Sequence, residues 1–117
     1  MLHLNSIMLG SSDPKKLVVF YSKILNKKPE WEEEGWGGFS VGNGFLSIGP
    51  HSDIKGKNKE PGRIIFNFET NDVQGEFNRI KALDANVVKE PYEMEGMWIA
   101  TFSDPDGNFF QLMSPMK

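Results

Sequence analysis

The sequence repeats itself. A block that opens at Asp13 and closes at Gly49-Pro50 returns, with small shifts, between Asp72 and Ser114-Pro115. Asp13 matches Asp72 at an offset of 59, Glu34-Gly35 matches Glu95-Gly96 at 61, and Gly49-Pro50 matches Ser114-Pro115 at 65. The shift grows only across segments that read as loops. Two copies of one supersecondary unit are therefore expected. Half of such a pair exposes one sheet face with no cover, so the halves are expected to pair, within the chain or across a dimer.

Each copy spells the same order of elements. Residues 2–9 are short, mixed apolar and free of breakers, and predict a first strand. Asp13-Pro14 predicts a helix start, because Asp caps free backbone N–H groups and Pro suits the first helical position. Leu17, Phe20, Tyr21, Ile24 and Leu25 then form one apolar stripe at helical spacing. Residues 26–29 end the helix. Strands are predicted over 30–34, 36–41 and 45–48, the last two joined by Gly42-Asn43-Gly44, a sequence suited to a tight hairpin. Residues 49–62 are polar and Lys-rich and read as a loop.

In the second copy a strand over 63–70 places Ile64, Phe66 and Phe68 on one face. Asp72 starts a helix whose stripe is Val73, Phe77, Ile80 and Leu83. Val87-Val88 predicts a short strand. Strands over 97–102 and 109–113 flank Asp104-Pro105-Asp106-Gly107, a strong turn signal. It is not an EF-hand loop: Phe109 stands where that loop needs Gly, and Pro115 where it needs Glu.

Composition removes several function classes. There is no Cys, hence no disulfide framework, thiolate metal site or cysteine nucleophile. A formal charge of -3 gives no reason to expect nucleic acid. No apolar run approaches the roughly 20 residues that span a bilayer. The first ten residues lack the basic and apolar regions of a secretory signal, so a cytoplasmic location is the default expectation. No Gly-x-Ser-x-Gly elbow or phosphate-binding glycine loop is present.

The chain resembles the vicinal-oxygen-chelate superfamily, which includes glyoxalase I, bleomycin-resistance proteins and extradiol dioxygenases. The resemblance rests on the βαβββ repeat, on Ser12-Asp13 followed by Phe20-Tyr21 and Ile24-Leu25, and on the segment from Thr101 through Asp104-Pro105-Asp106-Gly107 to Phe109. It implies an α+β fold: a single domain over 1–117 with modules at about 1–50 and 62–115. The two modules would form a curved mixed sheet around a cleft, helices outside. It also implies a homodimer.

Members such as glyoxalase I hold a divalent ion with one side chain from the first and one from the last strand of each module. Counting seven residues back from Asp13 and Asp72 gives Ser6 and Ile65; four past Gly107 gives Gln111; the repeat offset of 65 gives Leu46. Leu and Ile cannot coordinate, and Ser and Gln are weak neutral donors where Zn, Ni or Fe need imidazole, thiolate or carboxylate. The expectation is no metal and no cofactor. His3 points away from the Ser6 side of a strand, and His51 lies on a polar loop.

Alternation then predicts a cleft lined by Leu4, Ser6, Met8, Leu46, Ile48, Arg63, Ile65, Asn67, Phe109, Gln111 and Met113, with Trp98 beside them. That is an apolar cavity with a few polar points, the usual makeup of a small-molecule site. Arg63 is a candidate for gripping an anion, and its alternative is a surface Arg at a strand end. Trp31, Glu34, Trp36 and Tyr92 mix rings with carboxylates and suggest a cationic or aromatic ligand; their alternative is solvated Glu alternating with packed aromatics. The favoured expectation is a metal-free protein that binds a small organic molecule, with no nucleic-acid or membrane partner. The alternatives are a metal-dependent lyase or dioxygenase with a relocated metal, in which His51 is the ligand to watch, and a ligand-free dimer whose cleft is packed with Met and Phe.

Overall fold

A computed structural model describes residues 1–115. The chain forms two compact units that divide after Gly56. The first runs β1 (Ser6–Ser11), α1 (Pro14–Leu25), β2 (Trp31–Glu33), β3 (Trp36–Val41) and β4 (Gly44–Pro50). Its sheet order is β1-β4-β3-β2, with β1 parallel to β4 and the other pairs antiparallel. The second runs β5 (Phe66–Glu69), α2 (Val73–Lys81), β6 (Asn86–Met94), β7 (Met97–Ser103) and β8 (Phe109–Met113), in the order β5-β8-β7-β6 with β5 parallel to β8. Each is one βαβββ module, so the repeat is a repeat of fold and the class is α+β. Among the described residues no helix is long and apolar enough to cross a membrane.

The caps that announce the helices work alike in both units. The Asp13 side chain accepts from the Lys16 amide at 3.3 Å, with Pro14 in the first turn; Asp72 accepts from the Gly75 amide at 2.9 Å. Each cap is held by a hydroxyl two residues back, Ser11 accepting from the Asp13 N–H and Thr70 from the Asp72 N–H. Asn26 closes α1 in the left-handed conformation, φ 54°.

Each helix covers one face of its own sheet. Leu17, Val18, Tyr21 and Ile24 are buried on α1, and Phe39, Leu46 and Ile48 are the large apolar side chains buried on the strands of that unit. In the second unit Val73, Phe77 and Ile80 meet a row of rings. Phe77 lies 5.2 Å from Phe102, Phe102 stacks 5.5 Å from Phe110, and Phe110 stacks 6.4 Å from Phe66. Burying several such rings supplies most of what a module this small can gain from apolar area.

Element boundaries depart from the sequence reading in four places. β1 begins at Ser6, and residues 1–5 are exposed, so Leu4 is not a strand residue. β5 begins at Phe66, because Pro61–Arg63 forms a 3-10 turn and Ile64 is 70% exposed. Leu83 lies beyond α2 and is exposed. β6 is nine residues long where Val87-Val88 suggests a short strand. It is an edge strand with two register irregularities and Pro91, so its charged and bulged sequence shows no clean alternation.

Two turn devices recur or stand out. Glu34-Gly35 and Glu95-Gly96 occupy matching hairpins, all four at positive φ: 47° and 87° in the first, 51° and 83° in the second. The Asp-Pro-Asp-Gly segment is a buried-carboxylate turn. Asp104 is 5% exposed; its Oδ1 accepts from the amides of Asp106 and Asn108, both at 2.9 Å, and its Oδ2 from the Asn108 side-chain amide at 3.0 Å. Gly107 supplies the left-handed residue, φ 83°. Asn58 ties the turn to the preceding loop through the Asp106 carbonyl and the Asn108 side chain.

Two stability outcomes follow. Asp104→Ala leaves buried donors unpaired and is expected to cost about 2–4 kcal/mol in urea unfolding. Glu34→Asn and Glu95→Asn place a residue that tolerates the left-handed region and are each expected to add about 0.5 kcal/mol; loss of stability in either would show the positive φ to be supported by the Glu side chain.

Candidate functional site

With one sheet face buried under a helix, the other carries the side chains free to meet a ligand. Strand register assigns them. In the first unit Ser6 lies opposite Phe45, Met8 opposite Ser47 and Gly10 opposite Gly49. Gly38 lies opposite Ser47, and Trp31 opposite Gly38, which brings Trp36, Trp31 and Glu33 to the same side.

Two glycines make room for three rings there. A Cβ at Gly38 would collide with the Phe45 ring and come within 3.4 Å of the Trp31 indole; a Cβ at Gly49 would collide with the Trp36 indole. The rings therefore lie close against bare backbone. Trp31 remains 43% exposed and Met8 51%. Glu33 pairs with Trp36 at the hairpin and is exposed. Where α1 meets this hairpin, a pocket of about 360 Å³ is lined by Lys15 and Val18 of the helix with Glu32, Glu33, Glu34 and Trp36. At the other end of the unit a pocket of about 440 Å³ involves Ser6, Ser40, Asn43 and Phe45. Glu30 braces the β2–β3 edge: its carboxyl is held below the usual carboxylate range by the Ser40 hydroxyl and then by Lys27.

The corresponding face of the second unit is more polar. Asn67 lies opposite Gln111, and Gln111 opposite Thr101. The Gln111 amide nitrogen donates to the Thr101 hydroxyl at 3.0 Å. Phe109 and Met113 are half-buried on this side, and Ile65 is half-buried just before β5. The Tyr92 ring carries a cation of its own, Lys89 Nζ at 4.9 Å from the centroid.

Besides Leu4, which precedes β1, four residues expected in the cleft are elsewhere. Leu46 and Ile48, 5% and 0% exposed, share the helix-covered face with Phe39. The side chains beside them in sequence, Phe45 and Ser47, take the open face. Arg63 sits in the 3-10 turn and pairs with Glu60 at 2.6 Å in solvent. Trp98 falls on the helix side by register with Ala100 and Phe102, yet is 47% exposed near the sheet end. Phe45, Gly38 and Gly49 are the site residues that the sequence reading does not include; their signal is small residues facing bulky rings across neighbouring strands.

The family's ion site can be tested against these positions. Gln111 lies opposite Asn67, two past Ile65, and Ser47 lies opposite Met8, two past Ser6. The matching last-strand residues are therefore Gln111 and Ser47, 64 positions apart, and not Leu46. Two Ser, one Ile and one Gln do not fit a Zn, Ni or Fe donor set. Among the described residues no group of three or more His, Cys, Asp or Glu side chains is placed to hold a metal ion.

Comparison with known proteins agrees with this architecture. Three solved structures share the fold. The antibiotic binding protein TnmS3 from Streptomyces sp. CB03234 has a TM-score of 0.79 at 22% identity, covering 99% of this chain and 98% of its own. A glyoxalase-related enzyme from Fulvimarina pelagi has a TM-score of 0.82 at 14% identity, covering 98% and 89%. A glyoxalase/bleomycin resistance protein/dioxygenase family enzyme from Burkholderia phytofirmans PsJN has a TM-score of 0.78 at 17% identity, covering 98% and 100%. At these identities the likeness is one of fold. No curated protein matches the sequence. Residues 3–112 match the family model of the Glyoxalase/Bleomycin resistance protein/Dioxygenase superfamily. The chain belongs to that superfamily.

Proposed function

We propose that this chain binds a flat, cationic organic molecule on the open face of its first unit, without a catalytic metal. The observation that carries the reading is the set of rings Trp31, Trp36 and Phe45 laid against Gly38 and Gly49, with Glu33 beside Trp36. Ring faces attract a planar partner by stacking and a cation through the quadrupole, and a nearby carboxylate adds charge attraction. Ser6, Ser47, Ile65 and Gln111 give a metal poor donors, so binding rather than Lewis-acid chemistry is the use of the fold that these side chains favour. That a protein of this fold, TnmS3, is an antibiotic binding protein supports a small-molecule role.

N-methylacridinium is a suitable probe, being planar and permanently charged. Calorimetric titration is expected to give saturable binding that Trp36→Ala weakens roughly tenfold, in keeping with one lost stacking and cation–π contact. Glu33→Gln is expected to weaken it by a smaller factor. Protein purified without chelator is expected to carry less than stoichiometric Zn, Ni, Mn or Fe. Stoichiometric metal, with no acridinium binding, would favour a metal-dependent lyase or dioxygenase with a relocated site.

A further inference from the structure

A second group stands on the same face beside the rings. Gly10 and Gly49 are partners in neighbouring parallel strands, so both present bare backbone to the open side. Trp36 covers Gly49. Gly10 is covered by the turn that follows β4: a Cβ there would meet His51 Cβ at 3.1 Å and Ile54 Cγ1 at 3.2 Å. Adjacent strands are about 4.8 Å apart, so His51 and Trp36 stand side by side over neighbouring sheet positions.

The imidazole is oriented. The turn is closed by the Ile54 amide donating to the His51 carbonyl at 3.0 Å, and His51 Nδ1 accepts from the Asp53 amide at 3.1 Å. An Nδ1 that accepts leaves the ring proton on Nε2. Among the described residues that Nε2–H has no partner, and the residue is exposed. The main chain thus presents a single fixed donor at the edge of an aromatic surface.

We infer that His51 is a specificity-determining residue of this face, donating from Nε2 to an acceptor oxygen on the rim of a planar aromatic ligand stacked on Trp36. The inference rests on the reading of the first unit's open face as the binding site. It narrows the ligand class to planar ring systems that carry a carbonyl or similar acceptor oxygen at one edge.

N-methylacridone and N-methylacridinium test it, since both are planar tricycles of one size and only the acridone carries a ring carbonyl. Calorimetric titration of the full chain with each is the measurement, on the unaltered protein, on His51→Ala and on His51→Gln. His51→Ala is expected to weaken acridone roughly fivefold, the scale of one neutral hydrogen bond, while acridinium stays within about twofold of its unaltered affinity. His51→Gln, which keeps an N–H donor, is expected to recover part of the acridone affinity. Unchanged acridone binding in His51→Ala, equal loss for both probes, or acridinium binding without acridone binding would each overturn the role of His51 and leave the aromatic face standing. Binding of neither probe to the unaltered protein would overturn both.

Discussion

The parallel pairing of first and last strand within each unit is the constraint on which the rest depends. β1 lies on β4 and β5 on β8, each joined in sequence through a helix and two further strands. Parallel neighbours need a long crossover, and here the helix supplies the cover for one sheet face as well. Once Ser6 is set opposite Phe45 and Asn67 opposite Gln111, alternation assigns the sheet residues around them either to the helix or to the open side. A slip of one residue would exchange the two sets. The buried aliphatics of the first unit and the ring stack of the second hold that register against slipping.

Much of this was legible in the sequence because local chemistry repeats. Asp13 and Asp72 are caps, each with a supporting hydroxyl two residues back, and Glu34-Gly35 and Glu95-Gly96 turn matching hairpins. The last strand of the first unit was not legible to the residue. Gly49-Pro50 resembles Ser114-Pro115, and that likeness gives an offset of 65. Pro50 still pairs with Ser11 at the end of β4, whereas Pro115 lies two residues past the end of β8, so the two prolines do not hold matching places. Pairing inside the ladder gives 64, and the difference moves the site position from Leu46 to Ser47. Arg63 was misplaced for a related reason: Pro61 starts a 3-10 turn, which delays β5 to Phe66.

The two units share a backbone plan and differ on their open faces. Where the first has Gly38 and Gly49 under phenyl and indole rings, the second has Thr101 and Met113 in corresponding places. Where the first has Glu33 and an aromatic surface, the second has a Gln111–Thr101 hydrogen bond and a tyrosine already matched with Lys89. A duplicated fold thus supplies two surfaces of different chemistry. The glycines matter because a side chain at either place would lift a ring off the sheet. The proposed ligand preference belongs to the first unit for that reason.

A planar cation is proposed to settle on Trp31, Trp36 and Phe45. Amide and indole chemical shifts followed by nuclear magnetic resonance during titration with N-methylacridinium test it most directly. Shifts are expected to concentrate at the Trp31 and Trp36 indole N–H groups and at the Gly38, Phe45 and Gly49 amides, with α1 and the ring stack of the second unit unmoved. Shifts concentrated on the second unit, or at Trp98 alone, would contradict it.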